Sequence, residues 1–192
     1  WVAEFRKMDA TTPIVLMGYA NPVERFGVDA FVKAAKAAGV DGTIIVDYPP
    51  EECEEFSGLL RAQDMDPIFL LAPTSTDQRM KDVARLGSGY LYYVSLRGVT
   101  GAGHLDPQAV AERVAHIRSF TSMPIGVGFG ISDAASAVAV AGAADAVVIG
   151  SALIRLMEDA QAKSQDPIQK AGEFMAGIRK ALDAMPARQE AA

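Results

Sequence analysis

Short, continuously apolar stretches alternate with longer amphipathic ones along this chain. The apolar stretches are PIVLMGY (Pro13 to Tyr19), GTIIVDY (Gly42 to Tyr48), PIFLLA (Pro67 to Ala72), YLYYVSL (Tyr90 to Leu96), PIGVGFG (Pro124 to Gly130) and DAVVIGS (Asp145 to Ser151). Unbroken runs rich in Val, Ile, Leu and Tyr predict strands buried on both faces, as a parallel sheet requires. Between them, residues 29–38, 51–63, 76–86, 107–120 and 132–141 carry apolar positions at helical spacing. Ser, Thr or Asp stands near several of their starts and Gly near several of their ends, which are the residues that close helix termini. A helix is expected from about Ala152 and another from Pro167 to about Ala184. Residues 1 to about 9 form a short helical stub, and 185–192 are expected to fray.

A strand every 20 to 30 residues or so is the period of a βα unit. Strict alternation of about six such units makes a parallel α/β fold. Periodicity alone leaves a doubly wound sheet and a barrel both open. The glycines favour the barrel. GVGFGIS (Gly126 to Ser132) and VVIGSALI (Val147 to Ile154) each place glycine at a strand end and serine at the opening of a helix, one βα unit apart. Glycine lets backbone approach a ligand, and a helix start offers N–H groups to an anion. In (β/α)₈ barrels the loops after the last two strands form such a phosphate site. The first motif is not a dinucleotide fingerprint, because Ile131 stands where the third glycine would be. Read alone, it is also compatible with a glycine-rich turn that holds nothing. The expected fold is a (β/α)₈ TIM barrel, with about six of its eight βα units in a single domain spanning 1–192.

Composition narrows the chemistry. Half of the 192 residues are hydrophobic and 22% are charged, which suits a globular domain, although a closed barrel typically takes about 250 residues. A net charge of −6 with no basic cluster disfavours nucleic acid. One cysteine, Cys53, permits no internal disulfide, and its glutamate neighbours argue against a reactive thiol. No apolar run is long enough to span a membrane, and a cytoplasmic location is the default. His104 and His116 lack partners at metal-ligand spacing, so no metal is expected. Every lysine falls in a helical stretch, which disfavours a Schiff-base aldolase. SLRGVTGAG (Ser95 to Gly103), with three glycines, is long for a βα connection and is expected to act as a lid that orders over bound phosphate. Arg97 within it reads equally as an anion contact or as a solvated charge. Asp47 emerges from a buried strand and reads equally as a site residue or as a cap of the next helix.

MGYANP (Met17 to Pro22), IIVDYPPEE (Ile44 to Glu52), PIFLLAPT (Pro67 to Thr74), YYVSLRGVTG (Tyr92 to Gly101), GVGFGIS and VVIGSALI, in this order and spacing, closely resemble the tryptophan synthase alpha subunit family. The resemblance covers nearly the whole chain, from the family's third barrel strand to its C-terminal helix. It implies retro-aldol cleavage of indole-3-glycerol phosphate to indole and glyceraldehyde 3-phosphate. Indole then passes to a beta subunit that carries pyridoxal phosphate, and the alpha chain itself has no cofactor. It further implies that Gly101, Gly128, Phe129, Gly130, Gly150 and Ser151 surround the substrate phosphate, and that Tyr19 and Tyr92 lie by the indole. Thr100 is the lid residue that supports a catalytic carboxylate, and Asn21, Asp47 and Pro49 face the beta subunit. The family's catalytic Glu and Asp lie on or after its second strand. No residue here matches them, so the chain as it stands is expected to be inactive alone and to expose sheet edges prone to self-association. A non-catalytic phosphate-binding module that contacts a beta-type partner stays open beside this reading, as does another phosphate-binding barrel isomerase; the GVTG segment argues against the latter.

Overall fold

A computed structural model describes residues 1–95, 106–128 and 130–186. The expected lid (96–105, with Thr100 and Gly101), Phe129 and most of the expected frayed tail lie outside the described residues. The chain divides into two compact units, Trp1–Tyr92 with Phe120–Met123, and Tyr93–Ser119 with Pro124–Ala192.

The first unit opens with α1 (Val2–Arg6) and continues through β1 (Val15–Gly18), α2 (Ala20–Phe26), α3 (Val28–Ala38) and β2 (Gly42–Ile45). A 3₁₀ turn (Pro50–Glu52) then leads to α4 (Glu54–Arg61), β3 (Asp66–Pro67), β4 (Phe69–Leu71) and α5 (Asp77–Leu86); β5 (Leu91–Val94) begins here and runs across the division. β1 pairs in parallel with β2, from Val15 opposite Gly42 to Gly18 opposite Ile45, and β2 pairs in parallel with β3. Val23, Val32, Ala35, Val40, Phe56, Leu60 and Met65 form a buried cluster beneath them. Removing a Leu such as Leu60 from water contributes roughly 1.5–3 kcal/mol. Cys53 is buried here too, and burial, helped by Glu52 and Glu51 against an opposing effect of Arg79, pushes its thiol up to about 11.

The entry to this unit is tied down by polar contacts. Arg6 donates from Nε to the Gly39 carbonyl and from Nη1 to the carbonyls of Asp9 and Thr12, while Nη2 pairs with Asp41 at 2.5 Å. The same Asp41 carboxylate accepts the Ile14 N–H at the approach to β1. Gly39 must be glycine on two counts: its φ is +94°, and a Cβ there would stand 2.7 Å from the Arg6 side chain. Asp9 accepts from the backbone and the hydroxyl of both Thr11 and Thr12. These donors, Thr12 foremost, hold its carboxyl well below the usual range.

The second unit carries α6 (Pro107–Arg118), β6 (Ile125–Gly128), α7 (Ala134–Ala141), β7 (Ala146–Val148), α8 (Ser151–Ala162) and α9 (Pro167–Asp183). Val110, Val114 and Ile117 of α6, Ile125 and Val127 of β6, and Ala137 and Val140 of α7 are buried. Asp106 and Asp166 cap α6 and α9, each followed by proline at the first helical position, where a missing N–H costs nothing. Asp145 accepts from Arg118 and from the Ile125 N–H, which joins the approach to β7 to the start of β6.

The alternation expected from sequence is present, with three differences. The third apolar run is broken at Ile68 into β3 and β4, and Pro67 has no N–H to add to a ladder. Residues 51–63 divide into the 3₁₀ turn and α4. Helix α2 has no counterpart in the sequence pattern. β1 and β7 are each hydrogen-bonded on one side only among the described residues. No helix among the described residues is long and apolar enough to cross a membrane.

Candidate functional site

In the second unit, β6 and β7 run parallel with Gly126 opposite Ala146, Val127 opposite Val147 and Gly128 opposite Val148. The two strands therefore finish level, about 4.8 Å apart. Gly128 is buried, and Gly130, two residues on, is exposed at φ +79°, a left-handed conformation that L side chains avoid. On the neighbouring strand Gly150 is the N-cap of α8, and its carbonyl accepts from Leu153 and Ile154.

The two helix starts differ. α7 is closed by its own residues: Asp133 accepts the Ser136 N–H, and the Ser136 hydroxyl in turn accepts from the N–H groups of Ser132 and Asp133. These bonds, the Ser136 backbone first, lower the Asp133 carboxyl pKa. The start of α8 has no side-chain cap, and Gly150 and Ser151 are both exposed. The first N–H groups of a helix have no partner within it, and they concentrate the positive end of its dipole. The sequence expectation of two open helix starts facing one anion is corrected to one, α8. A residue not singled out from sequence also meets this turn: Ser95 donates both its N–H and its Oγ to the Gly128 carbonyl, each at 3.0 Å. No motif flags that contact, because it joins positions 33 apart.

In the first unit Tyr19 is 60% exposed and occupies the N-cap position of α2 without capping it. The cap comes from elsewhere in the chain: Asp47, past the end of β2, accepts the Ala20 N–H at 2.7 Å. As a cap, Asp47 is expected from sequence to serve the helix after it; it serves the one before. The Tyr48 hydroxyl donates to the Glu24 carboxylate, a second tie between this connection and α2. Asn21 is exposed in the first turn of α2, and Pro49, half-buried, precedes the 3₁₀ turn. Tyr92 on β5 is half-buried; burial, then the neighbouring Tyr90, raises its phenol pKa, so it stays neutral near pH 7. Asp47 is the only carboxylate in the two residues that follow a strand's C-terminal end among the described residues. Asp47→Ala is expected to cost about 1 kcal/mol, or roughly 2 to 4 °C of melting temperature, while Asp47→Asn keeps an acceptor and loses less. Thermal melts of the two variants that coincide with the parent would remove this capping role.

The family model described as tryptophan synthase alpha chain matches residues 1–183. The chain belongs to the tryptophan synthase alpha chain family. It is 62% identical over 183 residues to the tryptophan synthase alpha chain of Herminiimonas arsenicoxydans, a match that covers 95% of this chain and 68% of that one. It is also 62% identical, over 184 residues, to that of Leptothrix cholodnii, covering 96% of this chain and 67% of the relative. A crystal structure of tryptophan synthase subunit alpha from Legionella pneumophila superposes with a TM-score of 0.88 at 38% identity, over 96% of this chain and 68% of that one. The tryptophan synthase α2β2 complex of Pyrococcus furiosus gives a TM-score of 0.81 at 33% identity, over 93% of this chain and 71% of that one. The parallel βα units of this chain are therefore part of a (β/α)₈ barrel.

Proposed function

We propose that this chain provides the phosphate-binding side of an alpha subunit that cleaves indole-3-glycerol phosphate to indole and glyceraldehyde 3-phosphate in tryptophan biosynthesis. The observation that carries the proposal is the family match over residues 1–183, with an uncapped helix start beside a glycine turn at the level ends of β6 and β7. The substrate phosphate is held by Gly128, Gly130, Gly150 and Ser151, where backbone N–H groups and the α8 dipole favour an anion. Phe129 and Gly101 complete the ring of contacts by resemblance to the family, and Thr100 supports the catalytic carboxylate. By resemblance to the family, Tyr19 and Tyr92 lie by the indole.

The bond to be broken joins the indole ring to the glycerol chain. As that bond breaks, the glycerol hydroxyl loses its proton to become the aldehyde and the ring carbon gains one, with proton movement at the indole nitrogen, work for placed carboxylates. Asp47 takes a capping role instead, its Oδ1 accepting the Ala20 N–H. It belongs, with Asn21 and Pro49, to the face that meets a beta subunit. Pyridoxal phosphate resides in that beta subunit, and the reaction runs in the cytoplasm. Titration of the isotope-labelled chain with glycerol phosphate tests the phosphate assignment. The expected result is movement of the Gly130, Gly150 and Ser151 amide signals; shifts confined to other residues would overturn it.

A further inference from the structure

We propose that Ser95 is a positioning residue for phosphate binding, acting through the carbonyl of Gly128. The proposal rests on the phosphate reading above and extends it to a residue that touches no substrate. Gly128 is buried, so its carbonyl must be satisfied by protein. A carbonyl oxygen has two lone pairs, and here both donors come from one residue: the Ser95 N–H and the Ser95 hydroxyl, each at 3.0 Å. One would suffice for the ladder between parallel strands. The second does something the ladder does not.

The backbone just beyond Gly128 supplies the reason. With glycine at 128 and at 130, the chain here can rotate more freely than elsewhere. Such a peptide can turn its carbonyl oxygen towards a bound anion, and that oxygen would repel it. Occupying both lone pairs from the Ser95 side holds the oxygen away from the anion and leaves the turn ready for it. Ser95 stands at the C-terminal end of β5, so the clamp fixes the glycine turn to a third strand end, beyond the register of β6 with β7. The hydroxyl therefore acts on ground-state binding of the phosphate, with the reacting bond untouched.

This separates Ser95 from a residue that merely supports the fold. In the complete alpha subunit, Ser95→Ala keeps the backbone donor and loses the hydroxyl. It should weaken binding of glycerol phosphate, and raise KM for indole-3-glycerol phosphate, roughly five-fold, the worth of one hydrogen bond, with kcat nearly unchanged. Ser95→Thr retains the hydroxyl and should restore both values. Calorimetric titration with glycerol phosphate, steady-state kinetics and a thermal melt on the parent and the two variants make the test. Ser95→Ala with parental affinity and a lowered melting temperature would show a purely structural bond and overturn the proposal. A fall in kcat alone would overturn it too, since it would place Ser95 on the reaction step. If the parent itself bound glycerol phosphate without moving the Gly130 and Gly150 amide signals, the phosphate assignment would fail and take the proposal with it; that outcome is read on the parent, before any variant.

Discussion

Indole-3-glycerol phosphate incubated with the polypeptide of these 192 residues alone is expected to release indole at least about a thousandfold more slowly than with a complete alpha subunit. One placed acid or base commonly contributes a factor of about 10² to 10⁴, and two are needed here. Among the described residues Asp47 is the one carboxylate just past the C-terminal end of a strand, and its Oδ1 accepts the Ala20 N–H at 2.7 Å. Protonating it would weaken the capping bond of α2, which one of its two oxygens accepts. A stopped assay for indole, with the beta subunit left out, gives the rate directly. Turnover within tenfold of the complete subunit would point to a competent carboxylate within these residues; loss of that turnover in Asp47→Asn would assign it.

Gly150→Asp is expected to lower affinity for glycerol phosphate by at least about 100-fold, more than its effect on folding stability would explain. A carboxylate a few ångströms from a phosphate dianion opposes it by several kcal/mol at an effective dielectric near 20, of order the 2.7 kcal/mol that a hundredfold loss requires. A Cβ at Gly150 meets nothing within 4 Å, so the side chain has room, while the φ of −122° and ψ of −87° there cost an L residue some strain. The loss of binding should therefore exceed whatever the fold loses. Calorimetric titration and a thermal melt on the same sample decide it. Parental affinity in the variant would move the phosphate away from α8.

The apolar runs of the sequence locate the strands, but the burial expected on both faces holds at every position only in β6; β1 and β7 are partly exposed, and β3 opens on Asp66, outside its run. Helices α3, α5, α6 and α9 are equally legible, having local caps or terminal glycines. Helix α2 is not. Its seven residues include Pro22, and its start is capped by Asp47, 27 positions away from Ala20, a relation no window along the chain contains. The uncapped state of α8 is readable in Gly150. The closure of α7 is readable too, although the glycine motif before it suggests an open helix start: Asp133 and Ser136 stand three apart, the spacing of a capping box. Ser95 is out of reach of any such pattern. Its role arises from two strand ends brought level, and a serine after an apolar run carries no signal of its own.

The segment from Ala10 to Pro13 is exposed, and exposure ordinarily marks positions where sequence drifts freely. Here it does not. Thr11 and Thr12 each give two bonds to Asp9, and Arg6 reaches the carbonyls of Asp9, Thr12 and Gly39 along with Asp41. Lysine at position 6 could keep the ion pair but not the forked set of donors, because its charge sits on one atom. Alanine at position 9 would release four donors at once. A mutational scan that scored tolerance by solvent accessibility would rank this stretch among the most permissive in the chain, while the bonds of Thr11 and Thr12 to Asp9 predict narrower tolerance at those two positions.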